Sequence, residues 1–325
     1  MKLPRRQFLH LAAGAAVLPA ASVIARAQTY PARPVRIIVG YAAGGGTDIS
    51  ARVVGQWLSE RLGQQFIIEN RPGAATNIAT EAVARSLPDG YTLLLVTAAN
   101  AINATYYEKL NFDFIQDIAP VAAVMRVPLV MVVNPSFSAR TVPELIAYAK
   151  ANPRKINFAS GGAGGPDHMA AEYFKLVTGT EMLHVPYRGL GPALTDLIGG
   201  QVQLIFATMP AAIEYIKADR LRALAVTTSA RSEALPDVPM VADSLPGFEA
   251  SQWYALGAAK NTPADVVATI NKEVLAGLAD PKVRARIDQL GGVPMPMSPG
   301  EFGKFVVDET EKWAKAVKFS GATPG

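Results

Sequence analysis

Two short stretches carry the groups that could do chemistry. Residues 41–52, YAAGGGTDISAR, place Gly44, Gly45 and Gly46 ahead of Thr47 and Asp48. Residues 158–168, FASGGAGGPDH, place Gly161, Gly162, Gly164 and Gly165 ahead of Pro166 and Asp167. A glycine turn that runs into a helix start aims unpaired backbone N–H groups, and the positive end of the helix dipole, at one point. The chemistry this spacing supplies is anion binding. A nucleotide signature does not fit. GxGxxG would need glycine where Ile49 stands in the first loop and where Asp167 stands in the second, and neither loop has the lysine of a Walker motif.

The catalytic options are thin. His168 and Glu172, one helical turn apart, form the nearest approach to a metal pair and are read as a solvated helix face; no HExxH spacing is present. Ser160 lies at a strand-to-helix turn, but a nucleophile elbow needs glycine where Phe158 stands. Asp48 is read as a helix N-cap in preference to a general base. Tyr41 and Tyr187 stand beside turns at strand ends, where ligand contact competes with a core role, and Arg188 in PYRG is either a partner for a second ligand carboxylate or a surface arginine.

The elements that must position these loops follow from the apolar runs. A buried strand at 35–39 precedes the first loop, and a helix opening at Thr47 or Asp48 follows it, with Ile49, Val53, Val54, Trp57 and Leu58 on one face. A strand at 155–160 precedes the second loop, and a helix begins near Pro166, a residue suited to a first helical turn. The two loops lie about 115 residues apart. They predict two α/β domains facing each other across one ligand.

Strands at 65–69, 92–97, 183–186, 202–207 and 221–227 alternate with helices at 77–86, 142–151, 192–197 and 211–218. That alternation is the pattern of parallel sheets covered by helices. Residues 121–133, long for a strand and broken by Pro128, are expected to pass from one domain to the other, and 252–259 to return. Helices to about Ala279, from Pro281 to Leu290, and after the capping box at Ser298 to Glu301 close the chain.

Composition bounds the function. The chain has 325 residues, 31 basic and 27 acidic, and no cysteine, so thiol catalysis and disulfides are excluded. It opens with a basic segment, an apolar stretch from Phe8 to Ile24 and Ala25-Arg26-Ala27, which is a secretory signal cleaved after Ala27. Arg5 and Arg6 ahead of Phe8 and Leu9 match a twin-arginine signal; an ordinary Sec signal with two arginines is the alternative. Residues 1–27 hold four basic residues and no acid, so the mature chain carries 27 charges of each sign. Nucleic acid and anionic membrane surfaces therefore lose their electrostatic support as partners.

The chain resembles, over nearly its whole mature length, the Bug family of extracytoplasmic solute receptors, substrate-binding subunits of tripartite tricarboxylate transporters. The matching motifs are YAAGGGTDISAR (41–52), ENRPGA (69–74), PDGYTLL (88–94) and FASGGAGGPDH (158–168). VPYRGLGPALTDLIGGQV (185–202), LRALAVTTSAR (221–231) and LPDVP (235–239) complete them. The resemblance implies a two-lobed type II periplasmic binding protein, a Venus flytrap of mostly parallel sheets covered by helices. Residues 28–124 with 251–325 would form one lobe and 125–250 the other. It implies a periplasmic receptor, no enzyme, cofactor or metal, a small carboxylate as ligand, and membrane transporter subunits as partners, the mature chain itself not inserting. A sensor presenting the carboxylate to a signalling kinase is the alternative on the same fold. Carried over by position, Tyr41, Ala43, Gly44, Thr47 and Asp48 would hold the ligand from one side, and Ser160, Gly161, Gly164 and Asp167 from the other, with Tyr187 and Arg188 nearby. Two departures stand out: Ala75-Thr76-Asn77 where the family continues with glycine, and Met240 with Asp243 after LPDVP.

Overall fold

The computed structural model describes residues 30–228 and 231–320. The signal segment 1–27, its twin-arginine pair and its cleavage site lie outside the described residues.

In chain order, β1 (Val35–Val39) leads through the first glycine loop into α1 (Gly46–Leu62), followed by β2 (Phe66–Asn70), α2 (Asn77–Ala84), β3 (Thr92–Thr97), α3 (Ala98–Tyr106) and α4 (Phe114–Asp117). Then come β4 (Ile118–Val133), α5 (Val142–Ala151), β5 (Asn157–Ser160), α6 (Pro166–Thr178), β6 (Leu183–Pro186), α7 (Leu190–Ile198), β7 (Leu204–Thr208), α8 (Met209–Lys217) and β8 (Arg222–Val226). The chain ends with β9 (Ser251–Ala259), α9 (Ala264–Ala279), α10 (Pro281–Gln289), β10 (Val293–Pro294) and α11 (Pro299–Ser320). The helix α3 has no counterpart in the sequence reading. Its run AANAINATY lacks large apolar residues at helical spacing, and its start depends on the Thr97–Asn100 capping box.

The strands form one mixed sheet in the order β2-β1-β3-β9-β4-β7-β5-β6, with β8 and β10 also paired to β4. The flanks β2-β1-β3 and β6-β5-β7 are parallel, as the alternating pattern predicts. The centre is antiparallel, because β4 and β9 run against their neighbours and against each other.

Partners change within β4. Residues up to Pro128 pair with β9, and from Leu129 onward with β7 and β8. Proline offers no N–H to a ladder, so Pro128 marks the point where one set of partners ends. The second strand connection lies close by. Ala250 donates its N–H to the Thr227 carbonyl, and the next residue, Ser251, already pairs with Pro128. The buried Thr227 hydroxyl fastens the two connections, contacting the Leu129 N–H at 3.1 Å and donating to the Ala250 carbonyl at 2.7 Å.

Both faces of each half of the sheet are covered, so successive strand residues are buried alternately against different helices. In the first half Ile37 and Val39 pack with Val54 and Leu58 of α1, while Ile38, Leu94 and Val96 pack with Ile102, Trp253 and Phe302. In the second half Phe158, Phe174, Phe206 and Phe248 share one face, and Leu194, Leu197, Ile205 and Ile213 the other. Leu58 is wholly buried, so truncating it to alanine costs about 2–5 kcal/mol. Trp57 ties α1 to α9 by donating its indole N–H to the Glu273 carbonyl at 2.7 Å. The first loop is thereby mounted on a fixed helix.

Candidate functional site

Each glycine loop makes the same turn. Gly44 and Gly164 take positive φ of 83° and 87°, where glycine is favoured, and Gly45 and Gly165 are the extended N-cap residues of α1 and α6. The helices therefore begin at Gly46 and Pro166, not at Thr47 or Asp48, and Asp48 is no N-cap. It sits at the third helical position and reaches back to accept from the Gly44 N–H at 3.1 Å. His168 does the same in the second loop, its Nδ1 accepting from the Gly164 N–H at 3.1 Å.

Asp48 is fully engaged. Arg52 donates to both of its oxygens, at 3.0 and 2.9 Å, and Asn70 donates to Oδ1 at 3.1 Å. Burial pushes its carboxyl up, but the hydrogen bonds from Arg52, Gly44 and Asn70 outweigh this and hold it below the usual range. A carboxylate held this way supports a loop and has no lone pair free for base catalysis.

Between the loops lies an inner cavity of about 20 Å³, room for roughly one water-sized group. Tyr41, Gly45, Gly46 and Thr47 line it on one side, Gly161, Pro166, Asp167 and Leu190 on the other, with Thr208 and Gln252 completing the wall. The hydroxyls of Tyr41, Thr208 and Tyr254 are buried and complete no hydrogen bond of good geometry, although that of Tyr254 faces the hydroxyls of Thr208, Thr47 and Ser50. Such groups cost free energy unless something satisfies them. Burial and the neighbouring Asp167 push the Tyr41 hydroxyl well up, so it is a neutral donor, and Tyr254 is likewise raised, chiefly by burial. A β-carbon added at Gly46 would lie 2.2 Å from the Thr208 hydroxyl and 2.6 Å from that of Tyr254, so both converge on the first turn of α1. Helix geometry leaves the N–H groups of Gly46 and Thr47 without intrahelical partners there.

An outer recess of about 460 Å³ adjoins the inner cavity through Tyr41 and Gly161 and is bordered by Ala75, Tyr107, Tyr187 and Arg188. The chain segments bordering the cleft touch directly. Ala42 donates to the Arg188 carbonyl at 2.8 Å, and a β-carbon at Gly191 would come within 2.5 Å of the Ala43 carbonyl. The cleft is closed.

The expected site residues divide into two groups. Tyr41, Thr47, Gly161 and Asp167 line the inner cavity, and Tyr187 and Arg188 the outer recess. Ala43 and Gly44 are exposed on the rim, and the space beside Gly44 is open, so a side chain there meets no atom. Ser160, wholly buried, bonds His184 Nε2 at 2.6 Å, and Gly164 is turned toward His168. With Asp48 these residues shape the loops from behind. The sequence reading named Gly46 only as part of the glycine run, and it missed Thr208, Gln252 and Tyr254. Gln252 and Tyr254 share one face of a strand that is apolar apart from them and Ser251, and a buried polar group in such a run is an informative signal.

His168 and His184 stack at 3.9 Å, with Phe158 against the His184 ring. Burial drives both down, to about 3 and about 4, so both are neutral. No group of three or more His, Asp and Glu among the described residues could hold a metal. A wider groove of about 720 Å³ between α1 and α10 contains none of the unpartnered buried atoms that mark the cleft.

Comparison with known proteins shows the family and the fold. A profile of the tripartite tricarboxylate transporter family receptor matches residues 50–321. The chain is 38% identical over 299 residues to the protein BugT of Bordetella pertussis, covering 91% of this chain and 92% of that one. The solved structure of R. palustris Rpa4515 with adipate superposes with a TM-score of 0.89 at 35% identity, over 91% of this chain and all of that one. The periplasmic binding protein BugD superposes with a TM-score of 0.88 at 34% identity, over 91% and 100% of the two chains.

Proposed function

This chain belongs to the tripartite tricarboxylate transporter family of receptors, and from that premise we propose that it is an exported receptor for a small carboxylate, which it delivers to membrane transporter subunits. The observation that carries the reading is the convergence of the buried Thr208 and Tyr254 hydroxyls on the first turn of α1. The hydroxyls and the free N–H groups of the first turn can all donate, and a carboxylate is an acceptor that takes several such bonds at once. Charge-assisted hydrogen bonds of about 1.5–3 kcal/mol each, with a dipole contribution of about 0.3–2 kcal/mol, reach from three or four donors the roughly 8 kcal/mol of micromolar binding, part of the gain being offset by association entropy.

Residues 30–128 with 251–320 would move as one lobe, and 129–228 with 231–250 as the other. The change of strand partners at Pro128–Leu129 and the return at Ala250–Ser251 support a hinge at that place. The ligand enters an open cleft and its carboxylate seats between the two glycine loops, which stand further apart with ligand than in this closed form, where the inner cavity admits roughly one water-sized group; the remainder extends into the outer recess toward Arg188. Among the described residues no helix is long and apolar enough to cross a membrane. Export to the periplasm rests on the signal in residues 1–27.

Mass spectrometry of whatever co-purifies with natively folded protein, followed by calorimetry with four- to six-carbon mono- and dicarboxylates, tests the proposal. Micromolar binding of at least one is expected. Absence of binding by any carboxylate, amino-bearing ones included, would remove it.

A further inference from the structure

Residues 74–76 hold a backbone that ordinary side chains avoid. Ala74, Ala75 and Thr76 take φ of 46°, 45° and 82° in succession, all in the left-handed region, and none is glycine. Such a run persists only where its surroundings over-determine it. Two asparagines of α3 do so. Asn100 donates to the Thr76 hydroxyl at 3.1 Å, and Asn103 donates to the Ala75 carbonyl at 2.6 Å and to Asn77 Oδ1 at 2.9 Å. Thr76 is wholly buried and lies so close to Gly40 that a β-carbon added there would be 2.6 Å from its own.

What this segment meets belongs to the other half of the molecule. A β-carbon at Gly162 would lie 3.7 Å from Ala75 Cα, so Ala75 rests against the second glycine loop. The C-terminal end of α3 reaches the same loop. Asn103, 1% exposed, has an Oδ1 that completes no hydrogen bond, and a β-carbon at Gly164 would lie 2.8 Å from it. Tyr106 stands edge-on to His168 with ring centres 6.1 Å apart, and the Tyr107 hydroxyl donates to the Ala163 carbonyl at 3.4 Å. Met169 of α6 is buried in the apolar cluster of Ile102 and Tyr106. Asn103, Tyr106 and Met169 line neither the inner cavity nor the outer recess. The two halves thus share a contact that does not depend on what the cleft holds.

We propose that Asn103 is a positioning residue for ligand capture: it fixes residues 74–76 as a rest for the second loop and, with Tyr106 and Tyr107, clasps that loop, so that a closed form is populated before any ligand arrives. This rests on the two-lobe hinge reading above and names a contact that sets the balance between open and closed. A ligand that binds only the closed form binds with an affinity scaled by that form's population. Without the Asn103 amide, the Ala75 carbonyl and Asn77 Oδ1 lose their donor, the left-handed run relaxes, and the second loop loses its seat.

The chain has no cysteine, so Leu87→Cys and Val177→Cys, exposed on opposite lobes, can carry a pair of nitroxide labels. Double electron–electron resonance then reads the lobe separation with no ligand added. The labelled parent should show a short, closed distance beside a longer one. Asn103→Ala should shift their ratio toward the longer distance by roughly tenfold, and Tyr107→Phe by roughly threefold. Glycine adopts left-handed backbone without strain, so adding Ala75→Gly to Asn103→Ala should recover part of the closed population, which a general loosening would not allow. Open populations that glycine does not reverse would overturn the hold of Asn103 on residues 74–76. A parent with two distances whose ratio neither Asn103→Ala nor Tyr107→Phe alters would overturn the proposal and leave the hinge and the carboxylate reading intact. One distance shared by the parent and every variant would overturn the hinge as well. If Asn103→Ala fails to fold, Tyr107→Phe still decides.

Discussion

Asp48 and His168 hold the same place in two different turns: each is the third residue of its helix and accepts a hydrogen bond, 3.1 Å long in both, from the glycine four residues earlier. One acceptor is a carboxylate locked by Arg52, the other a neutral imidazole stacked on His184. The second turn is therefore the acid-sensitive one. His168 and His184 are depressed from 6.5 to about 3 and about 4, so their contribution to stability is present above 6.5 and is lost as pH falls toward those values. Asp167, raised from 3.8 to about 6, acts in the opposite sense: its contribution is present below 3.8 and lost as pH rises through 6. Two groups outweigh one, so the melting temperature should fall between pH 7 and pH 4.5. In Asp167→Asn the fall should be steeper; a shallower fall would contradict the assignment.

Asp48→Ala removes the acceptor for Gly44, Arg52 and Asn70 together. A loss of about 1.5–3 kcal/mol is expected from the buried, charge-assisted bonds, read by urea denaturation. Ligand affinity should fall as well, because the first turn of α1 loses its brace. Asp48→Asn should retain part of both, and an alanine variant as stable as the parent would show that Asp48 braces nothing.

Thr227→Val keeps the shape of the side chain but deletes the hydroxyl joining Leu129 to Ala250. Leaving buried backbone groups without that partner costs about 1–3 kcal/mol. If the two connections form the hinge, small-angle scattering without ligand should show a broader range of openings than in the parent. An unchanged profile would place the hinge elsewhere.

Arg188→Ala tests the outer recess. The side chain is exposed and borders the recess beside Tyr187, whose hydroxyl is itself held by Asp196 at 2.5 Å. An acid group at the far end of a ligand would meet Arg188, and a methyl end would not. Adipate, or its 2-amino form, should lose roughly tenfold in affinity, about 1.4 kcal/mol, while the equally long acid lacking the far carboxylate keeps its affinity. Equal losses for both would make Arg188 a structural residue.

Much of this was written in local sequence. The β1 run, the glycine loops and the Pro166 helix start are each specified by a few adjacent residues, and the loops do meet across a cleft. The helix start at Gly46 was misplaced because Thr47 and Asp48 are strong capping types, yet Asp48 caps from inside the helix. The cavity wall was only half visible. Thr208 ends β7 and Tyr254 lies within β9, far along the chain from either loop, and only the β4 crossing and the antiparallel centre bring them to Gly46. Ser160 has the opposite lesson: its position in the motif suggested contact, and its hydroxyl is taken by His184.

Gly46→Ala is the most direct test that a carboxylate seats on the first turn of α1. The residue begins a helix, whose backbone suits alanine, but the added methyl would lie 2.2 Å from the Thr208 hydroxyl and 2.6 Å from that of Tyr254, so these buried side chains must shift and some stability is lost along with the seat. Gly44→Ala is the control: its side chain meets open space, and its positive φ costs about 1–2 kcal/mol of stability. Calorimetry with the tightest carboxylate found should show binding lost in Gly46→Ala, lowered by at least a hundredfold, and kept within a few-fold in Gly44→Ala. A folded Gly46→Ala protein that binds the same carboxylate with the parent's affinity would contradict the account.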